Sequence, residues 1–356
     1  MNPIELLERM VAIDSPSRGE AELAAFLVEV MQGLGFEAEV DGAGNAVGTR
    51  SGPRTGGPPR ELVLLGHMDT VPGDVPRRIQ DGRLWGRGAV DAKGPLATFA
   101  LAAAQVDLPE NVRLVVIGAV EEETATSKGA RQIAGDFAAD YCVIGEPSSA
   151  GAITLGYKGR ILINYSVEVA MGHSAGPERA APQLAAEFWQ RTLDDCLDFN
   201  VERPKLFDQL LPSLRSINSN NDGLTSTATC KIGVRLPPDF DIDGFNARLR
   251  EFAGDASIDT YGYEPAHRSD RSNPLCRSLA AAIRTEGLKP AYKLKTGTAD
   301  MNVVAPVWQC PILAYGPGDS SLDHTPNEHL HLDELVQAVR ILATALNNLV
   351  KVAPCD

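Results

Sequence analysis

The chain has 356 residues, enough to bury one large core or two smaller ones. With 44% hydrophobic and 22% charged residues, it has the composition of a folded globular protein and not of a disordered one. Its formal charge of −14, with no dense Lys/Arg run, argues against a polyanionic partner such as nucleic acid. The start, Met1-Asn2-Pro3-Ile4-Glu5, lacks the basic and apolar parts of a signal peptide. No run reaches the roughly 18 to 20 apolar residues of a membrane span. Cys142, Cys196, Cys230, Cys276, Cys310 and Cys355 are scattered, with no CxxC. They are expected to be free, mostly buried thiols in a reducing cytoplasm, which argues against a thiolate metal site.

In chain order, residues 3–13 and 19–34 carry helical apolar spacing, with Ser17 in the N-cap region of the second helix. Short strands are predicted at 36–41, 45–49 and 60–66, with Ser51 to Pro59 as a turn or loop. A helix at 94–106 leads to strands at 111–119 and 140–144. The alternation predicts an α/β core with largely parallel strands. The pattern changes after Lys158-Gly159. A strand at 161–169, a helix at 180–197, strands at 213–218 and 226–236, a helix at 243–253 and a strand at 257–263 follow. That order is the split, ferredoxin-like βαββαβ arrangement. It predicts an inserted domain at 157–264 within a discontinuous domain made of 1–156 and 265–356, which ends in a helix at 332–350. No internal repeat is visible.

Six segments carry acids and histidines. Gly66-His67-Met68-Asp69 follows the apolar run Leu62 to Leu65, and residues i and i+2 of a strand share a face. A capped strand end is the plain alternative for this pair. Asp69 could orient the His67 imidazole. Asp91 sits in the glycine-rich stretch Gly86 to Gly94, as a turn residue or as a carboxylate bridging two cations. Glu121-Glu122-Glu123 follows the apolar run Leu114 to Val120. It is either a solvated acidic run or, with neighbours at a strand end pointing to opposite sides, one metal ligand beside one proton carrier. Glu146 ends Val143-Ile144-Gly145-Glu146-Pro147, and His173 and His324 lie in loops. Sites in open α/β sheets form beyond the carboxyl ends of strands, where several of these acids fall. Imidazole with carboxylate is the ligand set of a hydrolytic zinc site, and so many ligands suggest two ions.

With these motifs in one order, the chain resembles the M20 family of zinc peptidases and deacylases over essentially its whole length. The resemblance rests on Gly66 to Thr70, Gly86-Arg87-Gly88 to Gly94, the Glu triplet, Gly145-Glu146-Pro147 and His324 to Glu328. It implies a zinc-peptidase-like α/β catalytic domain with an inserted lid and dimerisation domain. It implies two zinc ions per subunit, with cobalt(II) able to substitute. His67 and Glu146 would hold one ion, Glu123 and His324 the other, and Asp91 would bridge them. Asp69 would orient His67. Glu122, the middle of the triplet, would be the general base, with Glu121 where the family usually has Asp. His173 would act as an oxyanion donor across a dimer interface, its plain alternative being a loop histidine.

Ala89 to Pro95, Glu123 to Arg131, Leu155 to Arg160 and Tyr315 to Ser320 look like the branch that releases lysine or ornithine from an amino-group carrier protein. This implies a LysW-like carrier as partner and a step in lysine or arginine biosynthesis: hydrolysis of the amide on the carrier's C-terminal glutamate γ-carboxyl. Acetylornithine deacetylase and succinyl-diaminopimelate desuccinylase share the site and remain alternatives, as does a non-catalytic metal-binding protein. Lys295 to Asp300 departs from the relatives around its Gly-Thr pair. Arg235, Gly297 and Thr298 are expected to hold the α-carboxylate of the released amino acid, because a guanidinium fork suits a carboxylate; a surface salt bridge is the alternative for Arg235. Lys158, Arg160, Arg179, Arg268, Arg271, Lys293 and Lys295 are expected to form a basic rim for an acidic carrier, or else to be scattered solvated charges.

Overall fold

The structure is a computed structural model and describes residues 1–173 and 175–351, so Ser174 and Cys355 lie outside the described residues. The chain divides into two compact units. The first takes in Met1–Gly156, Arg268–Leu294 and the stretch from Ala299 on; the second takes in Tyr157–His267 and Lys295–Thr298.

The first unit begins with α1 (Pro3–Ala12), α2 (Ala21–Gly33), β1 (Glu37–Val40), β2 (Ala46–Ser51) and β3 (Arg60–His67). Asn2 caps α1 by accepting the N–H of Ile4 at 2.9 Å, ahead of Pro3 in the first turn, where its missing N–H costs nothing. Ser17 does not cap α2. Glu20 occupies that position without a side-chain cap, and the Ser17 hydroxyl bonds Asp69 instead. Then come β4 (Arg78–Gln80), β5 (Arg83–Trp85), α3 (Lys93–Ala103), β6 (Val112–Ala119), α4 (Lys128–Asp136), β7 (Tyr141–Gly145) and β8 (Ala152–Tyr157).

The second unit follows as β9 (Gly159–Ala170), α5 (Ala181–Asn200), β10 (Leu211–Asn221), β11 (Thr225–Leu236), α6 (Ile242–Ala253) and β12 (Ser257–Glu264). The chain then passes through β13 (His267–Arg268), α7 (Pro274–Thr285), β14 (Ala291–Lys295), α8 (Asp300–Trp308), β15 (Ile312–Ala314), β16 (His329–His331) and α9 (Leu332–Leu349).

The first unit is built on a nine-stranded sheet in the order β1-β2-β6-β3-β7-β15-β8-β13, with β14 beside β8. Only its centre is parallel: β6, β3, β7 and β15 run together, while β2 and β8 flank them antiparallel. The expectation of largely parallel strands thus holds for the centre alone. There β3 is buried from Glu61 to His67, as a strand covered on both faces must be. The cover on one side is α3, buried along its whole length, so no polar stripe marks it in the sequence.

A row of glycines lets α3 come close to the carboxyl ends of the central strands. Gly66 of β3 is in register with Gly118 of β6 and Gly145 of β7. A Cβ on Gly66 would meet Leu96 at 3.3 Å, one on Gly118 would meet Met68 at 2.9 Å, and one on Gly145 would meet Phe99 at 3.0 Å. Leu96 and Phe99 belong to α3, and Asp91 stands two residues before that helix begins. The row therefore sets how near Asp91 sits to the ends of β3, β6 and β7.

The second unit has its own core. Its sheet, β10-β11-β9-β12, is antiparallel, and with α5 and α6 it gives the βαββαβ order expected from the sequence. Ile161, Ile163 and Tyr165 of β9 bury with Phe188 of α5 and Phe245 and Leu249 of α6. The segment Lys295–Thr298, expected in the first unit, belongs here. The N–H of Lys158 donates to the carbonyl of Lys295 at 3.2 Å, and the Thr298 hydroxyl donates to the carbonyl of Lys158 at 3.1 Å. Among the described residues no helix is long and apolar enough to cross a membrane.

Gly118→Ala should force Met68 and Leu96 apart at the base of the site. Overpacking of this kind costs about 1–3 kcal/mol. Urea unfolding should show a lower midpoint with an unchanged slope; an unchanged midpoint would mean that α3 has room to retreat.

Candidate metal centre

Three adjacent strands end together. Their paired positions include His67 with Ala119 on one side and Gly66 with Gly145 on the other, so His67, the Glu triplet and Glu146 emerge within neighbouring strand spacings of roughly 5 Å. The chain leaves β3 for β6 on one side and later returns to β7 on the other, which makes β3 the point where the strand order reverses. Ligand sites of open α/β sheets form at such points.

His67 is 2% exposed, and its Nδ1 lies 3.0 Å from the main-chain carbonyl of Asp69. A hydrogen on Nδ1 satisfies that bond and turns Nε2 inward. Nε2 lies 3.2 Å from Asp91 Oδ1 and 3.8 Å from Glu146 Oε1. The other oxygen of Asp91, Oδ2, lies 3.0 Å from His324 Nε2, which is itself 2.9 Å from Glu123 Oε1. Two triads result, His67–Asp91–Glu146 and Asp91–Glu123–His324, each with its ligand atoms within 4.8 Å of one another. Asp91 belongs to both through separate oxygens. A third group, His67–Glu122–Glu123, overlaps them.

The Glu triplet lies in a turn beyond the end of β6 and not on the strand. Glu121 has the left-handed backbone, φ 59°, and its carboxylate accepts the Thr126 hydroxyl at 2.8 Å, away from the cluster. Glu122 and Glu123 do not diverge to opposite sides as expected, since both approach His67. A turn removes the strand alternation on which that expectation rested.

Asp69, fully buried, orients His67 less through its carboxylate, 3.4 Å from Nδ1, than through its main-chain carbonyl. The carboxylate has a second task. It accepts the N–H groups of Glu122 and Glu123 at 3.0 and 3.1 Å and the Ser17 hydroxyl at 2.7 Å. Glu20 similarly accepts the N–H of Glu121 at 3.0 Å. Behind Asp91 stands Glu328, fully buried, which the sequence marked only as the end of a motif. Glu20 had no such mark.

The electrostatics follow from this crowding. Burial pushes the Glu122 carboxyl well above its ordinary range, and the charges of Glu146, Asp300 and Glu123 add to that against the attraction of His67. Burial also raises Glu123, although its bond to His324 opposes this. Burial alone would lower His67, but Asp69, Asp91 and Glu122 hold its pKa well above the usual value. Asp91 is held well below the carboxylate range despite its burial, by its bonds to His324 and His67. His324, half exposed, is raised to about 10 by its bonds to Asp91 and Glu123.

The remaining expected site residues lie in the second unit. His173 is exposed between β9 and α5, and its Nδ1 accepts the N–H of Ala175 at 3.1 Å. Arg235 donates to the Thr298 hydroxyl, with Gly297 alongside, so the structure brings these three together. Lys158 requires a correction. Its side chain is fully buried, and its ammonium donates to the carbonyls of Phe207 at 2.9 Å, Leu206 at 3.3 Å and Gln209. A buried ammonium needs such partners, and these hold the 206–209 turn and leave nothing for a basic rim or a substrate. Burial lowers its pKa to about 8.

Comparisons with known proteins bear on the family and the fold. The model of peptidase family M20/M25/M40 matches residues 63–348. The LysW-lysine hydrolase of Deinococcus radiodurans is 46% identical, over 97% of this chain and 96% of its own. The solved M20 family metallo-carboxypeptidase Sso-CP2 of Sulfolobus solfataricus superposes with a TM-score of 0.79 at 17% identity, covering 99% of this chain and all of its own, which speaks for the fold. The Bacillus subtilis YXEP protein, described as a dinuclear metal binding peptidase of the M20 family, superposes with a TM-score of 0.72 at 13% identity, covering 97% of this chain and 96% of its own.

In protein stripped by a chelator, His324 should couple stability to pH. Its folded pKa of about 10 lies above the ordinary 6.5. Its stabilisation is therefore complete below pH 6.5 and is lost as pH rises through about 10. Urea midpoints measured across that window should fall with pH in the native protein and fall less in His324→Ala. Parallel pH profiles would show that the imidazole is not paired with Asp91 and Glu123.

Proposed function

The chain belongs to peptidase family M20/M25/M40, and from that premise we propose that it is a two-metal amide hydrolase releasing lysine, or ornithine, from the C-terminal glutamate of an amino-group carrier protein. The observation that carries the metal reading is the division of Asp91, one oxygen facing His67 and the other His324. The 46% identity to a LysW-lysine hydrolase supports the substrate.

The donor set fits two divalent cations. Four carboxylates, of Asp91, Glu122, Glu123 and Glu146, crowd two imidazoles, and Glu122 and Glu123 are raised by burial first and by the charge of neighbouring acids second. His67 and Glu146 would hold one ion, Glu123 and His324 the other, and Asp91 both. Zinc suits imidazole and carboxylate oxygen, and cobalt(II) would substitute. The ions would supply Lewis acidity at the scissile carbonyl and a more acidic water.

The protein's own groups do the rest. Hydrolysis adds the oxygen of water to the γ-carbonyl carbon and breaks the C–N bond, and the amine of lysine leaves with a proton. Glu122 takes a proton from the water and returns it to the leaving nitrogen. Its carboxylate oxygen lies within 4.8 Å of ligand atoms of His67 and Glu123, which places it beside the proposed metal positions for that work. Arg235, Gly297 and Thr298 would hold the α-carboxylate of the released amino acid. The second unit would serve as lid and dimerisation domain, with His173 donating to the oxyanion in the partner's site. Arg268, Arg271 and Lys293 line one hollow of the first unit, a place for an acidic carrier to dock. Five free cysteines among the described residues favour a reducing, cytoplasmic setting.

Zinc-loaded protein should release lysine or ornithine from the carrier-linked amino acid faster than it deacetylates N-acetylornithine. Glu122→Gln should keep both ions and lose turnover by at least about 100-fold. Faster attack on N-acetylornithine would redirect the reading to a small-molecule deacylase. Loss of metal in Glu122→Gln with retention in Glu123→Gln would exchange the two roles.

The dimer reading predicts complementation. Inactive His173→Ala and inactive Glu122→Gln chains, after subunit exchange, should regain part of the activity. Verified mixed dimers with no recovery would sink the action across the interface.

A further inference from the structure

We propose that Glu328 is a positioning residue for Asp91, ordering the bridge between the two metal positions from behind. The inference rests on the reading of Asp91 as a shared ligand.

A single carboxylate carries three bonds. Oε1 accepts the N–H of Val90 at 3.0 Å and that of Asp91 at 3.1 Å, and Oε2 accepts Arg87 Nη1 at 2.7 Å. Glu328 is fully buried, so its charge is stable only with such partners. The Arg87 guanidinium is fixed in turn by the Gly73 carbonyl, at 2.9 Å from Nε. The N–H of Gly86 points to the Glu328 carbonyl at 3.4 Å, and β5 pairs with β16 immediately beyond, so both ends of the Gly86–Asp91 loop are tied to the Glu328 segment.

The consequence lies at the other end of the Asp91 residue. Two successive amides fastened to one oxygen fix the main chain there, and with it the direction in which the Asp91 carboxylate leaves the backbone. That direction lets Oδ1 face His67 while Oδ2 faces His324. Among the described residues the Asp91 carboxylate accepts no main-chain N–H, so its aim depends on the backbone behind it. Glu328 also stands four residues after His324. One segment thus delivers a ligand and orients the ligand it must share.

The test is calorimetric titration of chelator-stripped protein with zinc alone, beside urea unfolding of the same samples. Glu328→Gln should bind zinc about 10- to 100-fold more weakly, the usual scale for a partner that orients a metal ligand. Glu328→Asp keeps the charge but shortens the side chain that spans Arg87 and the two amides. It should lose affinity in the same direction, and it keeps the question decidable where the Gln variant does not fold. Native zinc affinity in a folded Glu328 variant, with or without a lower urea midpoint, would reduce Glu328 to a structural residue and overturn the proposal. Asp91→Asn separates this from the reading beneath it. Native two-ion binding by Asp91→Asn would remove the shared ligand and both inferences together, whereas weak binding there beside native binding in the Glu328 variants overturns only the positioning role.

Discussion

Like charges held together away from water are the constraint on which this structure turns. Asp91, Glu122, Glu123 and Glu146 converge on two imidazoles, and burial in that company raises Glu122 and Glu123 while the imidazoles hold Asp91 low. The protein separates two kinds of acid to manage this. Asp69, Glu20 and Glu328 form an outer set whose oxygens accept main-chain N–H groups of the loops carrying the inner acids. The outer set therefore holds the loops from which the inner set points, and on the proposed reading the inner set is left for imidazole and metal.

This arrangement needs a base that cannot drift, and the central sheet supplies it. Three parallel strands end at one level, and the glycine row of Gly66, Gly118 and Gly145 lets Leu96 and Phe99 of α3 approach the strands closely. A close-packed interior transmits small changes in volume, so side chains on that row would be felt at Asp91. On the exposed side His324 sits with φ 60°, a backbone region histidine tolerates better than bulkier or branched residues.

Much of this could be read from the sequence. The βαββαβ order of the second unit was legible because its strands are long and its helices amphipathic; β9 and β11 each run to 12 residues. The gathering of these acids and histidines was legible because most of them follow apolar strands, and because the motifs resemble a family. Other features had no signal to give. The strands β4, β5 and β16 are three residues each, too short for any period to show. The turn that brings Glu122 and Glu123 to one side depends on a left-handed Glu121 and on Asp69, more than fifty positions away. Lys158 looked like a surface cation because lysine is rarely buried, and only the three carbonyls of the 206–209 turn explain why this one is. The strip Lys295–Thr298 could not be assigned to the second unit without its bonds to Lys158 and Arg235.

The order of the chain adds a last consequence. His67, Asp91, Glu122, Glu123 and Glu146 precede the second unit, whereas His324 and Glu328 follow it. The contact between Val90 and Glu328 spans 238 positions, so the centre closes only after the whole intervening segment has been accommodated. The entropic cost of such closure grows only as the logarithm of the loop length, so an inserted unit of this size is tolerated. What the long return adds is conditionality. The second triad needs His324, and the main chain at Asp91, which both triads share, is bonded to Glu328. On the proposed reading, an ion held by the second triad would draw on the same free energy that brings the C-terminal stretch home, as happens wherever a metal site is absent from the unfolded chain.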